Sequence, residues 1–340
     1  MKKVLAVILG TFLTANLFAK PFSNNQAKLA NPAYLGYWSN LNTNNAGTVA
    51  NPTITQTVQA GYNTISIAFG VIQGTQVSLY DNNWNNQGYG VDQNSAGFVA
   101  DIDAAHQLGA TVLLSFGGGS SSNFSWNPDP NNPSGAADSI ISFLSANHLD
   151  GIDFDLEDGM NVDQTYLISF ISELRKQSQA NPNEFPRGFF ITGAPQLFTD
   201  AQWCLSRQNS VLQWSGCHPL DELLPESACN GSVCFDGLSV QDYNNDPYQQ
   251  QLGDAFNQVK DQLSSNGNNG ATQILLGLPI NSNSGQGYMD PSQVKAAIAK
   301  ITDPQFGGMM VWTASQDFTD NQNQIPWGYI TTLKNSSAQK

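Results

Sequence analysis

The chain has 340 residues, of which 40% are hydrophobic and 12% are charged, and its formal net charge at pH 7 is -14. This charge excludes electrostatic attraction to nucleic acid, to anionic membrane surfaces or to an anionic substrate, whereas a neutral substrate is compatible with it. We therefore expect no nucleic-acid partner and no membrane partner.

The first residues have the layout of a secretory signal peptide. Lys2 and Lys3 precede an apolar run from Val4 to Leu17, and Ala19 is a suitable cleavage position. The run is short for a membrane span, although an uncleaved anchor is the alternative interpretation. We predict a signal peptide at residues 1–19, a polar lead-in at 20–30, one folded domain at 31–334 and a polar tail at 335–340.

Short apolar runs rich in β-branched residues recur along the chain and predict eight strands. Several of them lack polar/apolar alternation, as expected for strands that are covered on both faces. The predicted strands are Tyr34–Trp38, Thr64–Phe69, Thr111–Phe116, Gly151–Glu157, Phe189–Ala194, Gly237–Tyr243, Gln273–Leu278 and Gly308–Thr313.

The segments between these strands have the apolar spacing of helices. Phe98, Ile102, Ala105 and Leu108 form one apolar stripe, and Gly109 suits its C-terminal stop. Further stripes are centred on residues 166–174, 252–263 and 294–301, the last preceded by an Asp-Pro start signal. Strands alternating with helices predict an α/β fold, a single (β/α)8 TIM barrel. A doubly wound open sheet is the alternative, but its phosphate-binding glycine motif is missing.

The four cysteines all lie in the segment after the fifth predicted strand. They are Cys204, Cys217, Cys229 and Cys234. Export makes disulfides plausible, and four cysteines allow three pairings, between which the sequence does not choose. Sequential pairing is our working hypothesis. A zinc site is disfavoured because no CxxC spacing occurs.

Three acids on the fourth predicted strand carry the strongest chemical signal. Asp153, Asp155 and Glu157 alternate with apolar residues, so the three carboxyl groups share one face of the strand. Crowded carboxylates repel, and at least one of them should hold a proton near neutral pH. In a barrel the active site lies at the C-terminal ends of the strands, so we expect Glu157 at the mouth and Asp153 deeper inside.

Other interpretations of this cluster fit less well. A charged edge strand conflicts with the large apolar residues between the acids and with the central place of the strand. A calcium loop needs glycine six positions from its first acid, where this chain has Asp158. Ser115 lacks the GxSxG setting of a nucleophile. We therefore predict no metal and no cofactor.

The acid row and five other segments resemble one enzyme family. Asp150–Glu157 (DGIDFDLE) is similar to the DxxDxDxE signature of family 18 glycoside hydrolases, the chitinase family. Five further segments resemble elements of the same family in the same order along the chain: Tyr37-Trp38, Ala68-Phe69, Leu114–Gly118, Gln241–Asn244 and Gly307–Trp312. Asp242 departs from the family, in which an aromatic residue is common at that place. The resemblance is to the compact plant-type and bacterial members.

The resemblance implies a role for each matching residue. Glu157 would be the general acid and base, and Asp155 would orient the acetamido group of the substrate, which itself attacks the anomeric carbon. Asp153 would share a proton with Asp155, and Tyr243 would hydrogen-bond the acetamido carbonyl. Trp312 would form the floor under the distorted sugar, with Tyr37 and Phe69 as further sugar-stacking aromatics. The other implied substrate-binding residues are Gly118, Gln241, Asn244 and Met310.

The function that the resemblance implies is that of a secreted, monomeric endo-acting chitinase that cleaves β-1,4-linked N-acetylglucosamine with retention. The segment between the seventh and eighth predicted strands has room for a loop and one helix only, whereas larger relatives carry an α+β domain there. We therefore expect an open groove. The alternatives are an endo-β-N-acetylglucosaminidase that acts on N-glycans and a non-catalytic chitin-binding lectin on the same barrel.

Overall fold

The computed structural model describes residues 28–39, 52–80, 96–119, 126–157, 163–198, 210–214, 218–244, 251–319 and 325–335. The predicted signal peptide and residues 336–340 of the predicted tail lie outside these residues. None of the described helices combines the length and the apolar character that a membrane crossing requires.

The described part of the chain contains 13 strands and eight helices. In chain order they are β1 Ala33–Ser39, α1 Ile54–Ala60, β2 Thr64–Gly74, β3 Gln76–Leu79, α2 Ala96–Gln107, β4 Thr111–Gly118, β5 Trp126–Pro128, α3 Pro133–Ala146, β6 Gly151–Leu156, α4 Gln164–Ala180, β7 Phe190–Gly193, β8 Gln196–Leu197, β9 Leu212–Trp214, β10 His218–Pro219, β11 Gly237–Gln241, α5 Leu252–Ser265, β12 Gln273–Pro279, α6 Pro291–Ile298, β13 Phe306–Trp312, α7 Ala314–Thr319 and α8 Gly328–Lys334.

Eight of these strands form a closed parallel barrel. The ring runs β1, β2, β4, β6, β7, β11, β12 and β13, and β13 pairs with β1 to close it. These are the eight strands that the sequence predicts, so the single (β/α)8 barrel is confirmed. Parallel pairing puts the C-terminal ends of all eight strands at one mouth, where the side chains of distant segments meet.

Two apolar layers hold the barrel together because strand side chains alternate between its two faces. Ile152, Phe154 and Leu156 of β6 face outward and are buried in the layer between barrel and helices. Leu35 and Met310 face inward and belong to a second cluster inside the barrel. The apolar face of α5 is fully buried, as its spacing predicts. Leu108 is 51% exposed because α2 ends at Gln107, one residue before it.

The lower end of the barrel begins earlier in the chain than the predicted domain boundary. Leu29, which the sequence places in the lead-in, is 3% exposed and belongs to the interior cluster. Its backbone amide donates to the side-chain oxygen Oε1 of Gln273, 2.9 Å away at the start of β12. Leu29 therefore closes the floor of the barrel and is part of the folded unit.

One disulfide lies in the segment that leads into β11. Cys229 and Cys234 are bonded to each other, which confirms this half of the sequential pairing. Cys204 and Cys217, the other predicted pair, lie outside the described residues. The bond fixes a short loop directly before the strand that carries Gln241 to the mouth.

Candidate active site

The three acids on and directly after β6 lie one above the other, from the barrel interior toward the mouth. Asp153 is fully buried and Asp155 is 2% exposed, whereas Glu157 follows the last residue of the strand and is partly exposed. Because the strand points toward the mouth, exposure rises along the row. The structure thus places Glu157 where a substrate can reach it and the two aspartates beneath it, as strand direction predicts.

Asp153 is held by four hydroxyl groups from four other strands. Tyr37 and Ser115 each donate to its Oδ2 at 2.7 Å, and Ser66 donates to the same atom at 3.2 Å. Thr192 donates to Oδ1 at 2.6 Å. These donors come from β1, β4, β2 and β7, so together with its own strand β6 the carboxylate links five of the eight barrel strands. Both of its oxygens thereby accept hydrogen bonds from protein donors.

Gln241, the last residue of β11, connects the upper two acids. Its Nε2 donates to Oδ1 of Asp155 at 2.8 Å and to Oε1 of Glu157 at 3.1 Å. The same nitrogen also lies 3.0 Å from the carbonyl oxygen of Ala194, so its two N–H groups are shared among three acceptors and the amide is fixed against the neighbouring strand segment. One amide therefore sets the spacing of the two carboxyl groups.

Asp155 lies in an environment that favours a bound proton on its carboxyl group. Burial raises the pKa of its carboxyl group well above the usual value, and the negative charges of Glu157 and Asp153 raise it further. A hydrogen bond with Glu157 also raises this pKa, whereas the Gln241 amide lowers it. In this arrangement the hydrogen-bond contact of Asp155 is to Glu157 rather than to Asp153. A hydrogen bond between two carboxyl groups requires a proton on one of them, so Asp155 and Glu157 form a hydrogen-bonded pair.

Tyr243 follows β11 and lies beside this pair. It is 4% exposed, and burial together with the charges of Asp155 and Glu157 raises the pKa of its phenol well above the usual value. The hydroxyl group therefore keeps its proton at neutral pH and is available as a neutral hydrogen-bond donor. This is the chemistry that recognition of an amide carbonyl requires.

The aromatic residues of the mouth form a stack with one open member. Trp312 is partly exposed at the end of β13, and Phe69 stacks on it with ring centroids 6.0 Å apart, while Tyr37 meets it edge-on at 5.3 Å. Tyr37 and Phe69 are only 1% and 3% exposed. They lack an open face for a sugar, which corrects the sequence-based expectation. They support Trp312 instead, and Tyr37 also binds Asp153.

A glycine run at the end of β4 allows close approach to the acids. Gly117 has a φ of +128°, and a Cβ atom there would lie 1.8 Å from the carbonyl oxygen of Asp155. Gly118 also has a positive φ, +90°. A Cβ atom on Gly119 would lie 3.3 Å from Oε2 of Glu157. Any larger residue at Gly117 would push β4 away from β6 and misplace Asp155.

Two predicted substrate-binding residues have other surroundings. Met310 is fully buried inside the barrel and packs against the backbone of Gly277, so it fills the interior below the mouth and cannot contact a substrate. Asn244 is exposed, and its Oδ1 accepts from the backbone amide of Gln286 at 2.8 Å. It thereby joins the loop after β11 to the loop after β12.

Sequence reasoning missed three residues that the structure brings to this region. Ser66 and Thr192 are polar residues in predicted apolar strands. Strand alternation places both of them on the inward-facing side, and this pattern could have revealed them from the sequence. Tyr80, directly after β3, packs on the interior aromatic cluster beside the mouth. No periodicity marks it, because it lies outside the predicted strands. Within the described ranges no group of three or more His, Cys, Asp or Glu side chains is arranged to hold a metal ion.

Comparison with known proteins agrees with this geometry. The profile of glycosyl hydrolases family 18 matches residues 33–197, which span β1 to β8 and include the three acids. An acidic endochitinase of Vitis vinifera is 27% identical over 305 residues, which are 84% of this chain and 87% of that protein.

Solved structures with the same barrel include both an enzyme and a lectin. A family 18 chitinase from Chromobacterium violaceum is 20% identical with a TM-score of 0.59, over 95% of this chain and 90% of that one. The tamarind chitinase-like lectin is 16% identical with a TM-score of 0.56, over 89% and 99%. At such identities these structures support the fold alone. The family match, the endochitinase relative and the acid-bearing fourth barrel strand together support the assignment of the chain to glycosyl hydrolases family 18.

Proposed function

We propose that this glycoside hydrolase is a secreted, endo-acting chitinase that cleaves β-1,4-linked N-acetylglucosamine polymers with retention of configuration. The observation that carries the proposal is the hydrogen-bonded pair of Asp155 and Glu157 at the barrel mouth, bridged by Gln241 and flanked by Tyr243. The similarity to an acidic endochitinase supports the choice of polymer. A neutral sugar chain also suits a protein with a net charge of -14.

The reaction begins with the proton that the pair shares. Glu157 is the exposed member, so the proton passes from its carboxyl group to the glycosidic oxygen as the bond to the anomeric carbon breaks. The negative charge left on the pair then lies beside the positive charge that develops on the sugar. Asp155 stabilises this charge without reorganisation, because burial and Gln241 hold it in place.

The nucleophile in this proposal is the acetamido oxygen of the substrate. Asp153 is fully buried and Asp155 is 2% exposed, so neither has the open approach to the anomeric carbon that a nucleophilic carboxylate needs. The protonated hydroxyl of Tyr243 would hold the acetamido group in position for attack. Glu157, now ionised, then takes a proton from the water that opens the cyclic intermediate.

The substrate groove is proposed to be open, which favours internal cleavage. Residues 280–305 connect β12 and β13, are described throughout, and contain the single helix α6. Chitohexaose cleaved by the wild-type protein should therefore give products of several lengths from the earliest times, resolved by chromatography with mass detection. Release of dimers alone from one chain end would contradict endo action. Cleavage of an N-glycoprotein but not of chitohexaose would replace the substrate with the N-glycan core.

Gln241→Met should slow the reaction and change its pH dependence. The substitution removes a charge-assisted donation worth about 1.5–3 kcal/mol, so we expect kcat to fall by about 10- to 150-fold. The amide lowers the pKa of Asp155, and its loss should let the pair keep its proton to higher pH. The alkaline limb of the pH–rate profile should therefore move upward.

A matched variant separates this effect from general destabilisation. Gln179→Met changes an exposed glutamine on α4 and should leave both kcat and the pH profile as in the wild type. A Gln241→Met protein with reduced kcat but an unshifted alkaline limb would show that the amide is structural and does not tune the acid pair.

A further inference from the structure

Hairpin β2–β3 extends past the barrel beside the active site. The pairing of β2 with β4 ends at Gly70 opposite Phe116, whereas Val71, Ile72 and the residues after them pair with β3. The hairpin therefore projects from the C-terminal end of the barrel, the end at which Glu157 lies. It can reach substrate units that extend beyond the reacting sugar.

The two faces of this hairpin differ in chemistry. Ile72 and Leu79 are buried in the outer apolar layer, and Val77 packs against it. Side chains alternate along a strand, and directly opposed residues share a face, so Ser78 and Tyr80 lie on the other face together with Val71. Ser78 and Tyr80 are both partly exposed.

Tyr80 joins this face to the aromatic stack of the active site. Its backbone amide donates to the carbonyl oxygen of Phe69 at 2.8 Å, and the Phe69 ring stacks on Trp312. Its side chain packs on the interior cluster that contains Tyr37, Phe69 and Tyr243. Within the described residues, Tyr80 and Trp312 are the two partly exposed aromatics on that cluster.

The groups on this face suit an uncharged, hydroxylated ligand. A half-buried tyrosine offers an apolar ring face and a polar hydroxyl, which match the two characters of a sugar. Burial raises the pKa of the Tyr80 phenol, so it remains a neutral donor. Ser78 adds a hydroxyl group to this face. Next to it, Nδ2 of Asn127 in β5 donates to Oε1 of Gln73 in β2 at 2.9 Å, which adds further polar groups.

We propose that Tyr80, with Ser78 beside it, forms a further sugar-binding site that holds an N-acetylglucosamine unit of the substrate chain away from the cleaved bond. This inference rests on the proposed function and names a binding residue for it. Stacking on Tyr80 binds a part of the polymer that does not react. Its contribution therefore exists only for substrates long enough to reach the hairpin.

The test is the dependence of kcat/KM on substrate length in Tyr80→Ala. We expect a loss of about tenfold with chitohexaose, equivalent to about 1.4 kcal/mol, and less than about twofold with an aryl glycoside of chitobiose. The matched variant Tyr80→Phe keeps the flat ring and should retain most of the activity on chitohexaose. If Tyr80→Ala does not fold, Tyr80→Leu keeps apolar packing without a flat face and should show the same length-dependent loss.

Three outcomes would overturn the inference. An equal loss on the short and long substrates would show that Tyr80 supports the active site and binds no distant sugar. An unchanged kcat/KM on chitohexaose in Tyr80→Ala would show that the hairpin does not contact the chain. A wild-type protein that cleaves neither substrate would remove the proposed function and this inference together, which distinguishes that failure from the first two.

Discussion

Glu157→Gln is expected to reduce kcat on chitotetraose by about two to four orders of magnitude, the usual contribution of a general acid. Glutamine keeps the size and the hydrogen-bonding capacity of the side chain but cannot deliver a proton to the glycosidic oxygen. Glu157 is the acid at the exposed end of the row, next to the donor Nε2 of Gln241 at 3.1 Å. Product release is followed by chromatography, with substrate affinity measured in parallel by calorimetry.

The control for this variant is Glu173→Gln on α4. Glu173 pairs with Lys176 on the surface, and such a pair contributes little to stability, so this variant should turn over like the wild type. Normal turnover by the Glu157→Gln variant would exclude Glu157 as the general acid. Binding of chitotetraose without turnover by the wild type, unchanged in Glu157→Gln, would instead indicate a lectin on the same barrel.

Asp155→Ala should raise the reaction barrier by about 2–4 kcal/mol, or slow kcat by about 30- to 1000-fold, as removal of one transition-state stabiliser does. The substitution removes both the partner that shares a proton with Glu157 and the negative charge beside the developing positive charge. Single-turnover kinetics on chitotetraose measure the effect on the chemical step. Near-normal turnover would contradict the substrate-assisted mechanism.

Asp155→Asn should lose activity and gain stability at neutral pH. The pKa of Asp155 is raised in the folded protein, so above the unfolded-state pKa the folded state binds more protons than the unfolded state. Stability then falls as the pH rises through this window toward the folded-state pKa, and the deficit remains at higher pH. Asparagine carries no charge, so the variant should avoid this deficit. It should unfold at higher urea concentration than the wild type at pH 7.

The stability prediction for Asp155→Asn has a matched surface control and holds only above the unfolded-state pKa. Asp138→Asn on the exposed side of α3 makes the same chemical change at the surface and should leave the urea midpoint within a few tenths of a molar of that of the wild type. Near pH 3, below the unfolded-state pKa, the advantage of Asp155→Asn should vanish. An Asp155→Asn protein that is less stable than the wild type at neutral pH would contradict a raised pKa of Asp155 in the folded protein.

Much of the site was predictable because its signals are local. The alternation of Asp153, Asp155 and Glu157 with apolar residues puts the acids on one face, and strand direction orders them from the interior to the mouth. Eight apolar runs separated by helical spacing predict the barrel, which the structure confirms. In the described part of the chain, the structure adds five short strands outside the barrel and moves a boundary at Leu29, because burial at the floor depends on contacts with a strand more than 200 residues later in the chain.

The sequence by itself determined the fold class, the acid row and its direction, since strand and helix periodicity are properties of neighbouring residues. The tertiary structure decided which side chains meet. Ser66 and Thr192 bind Asp153 across 87 and 39 residues, and Gln241 reaches Asp155 across 86. It also selected the Cys229–Cys234 bond from among the possible pairings and set Tyr80 beside the mouth. Such contacts follow from ring closure and strand register, which no local pattern encodes.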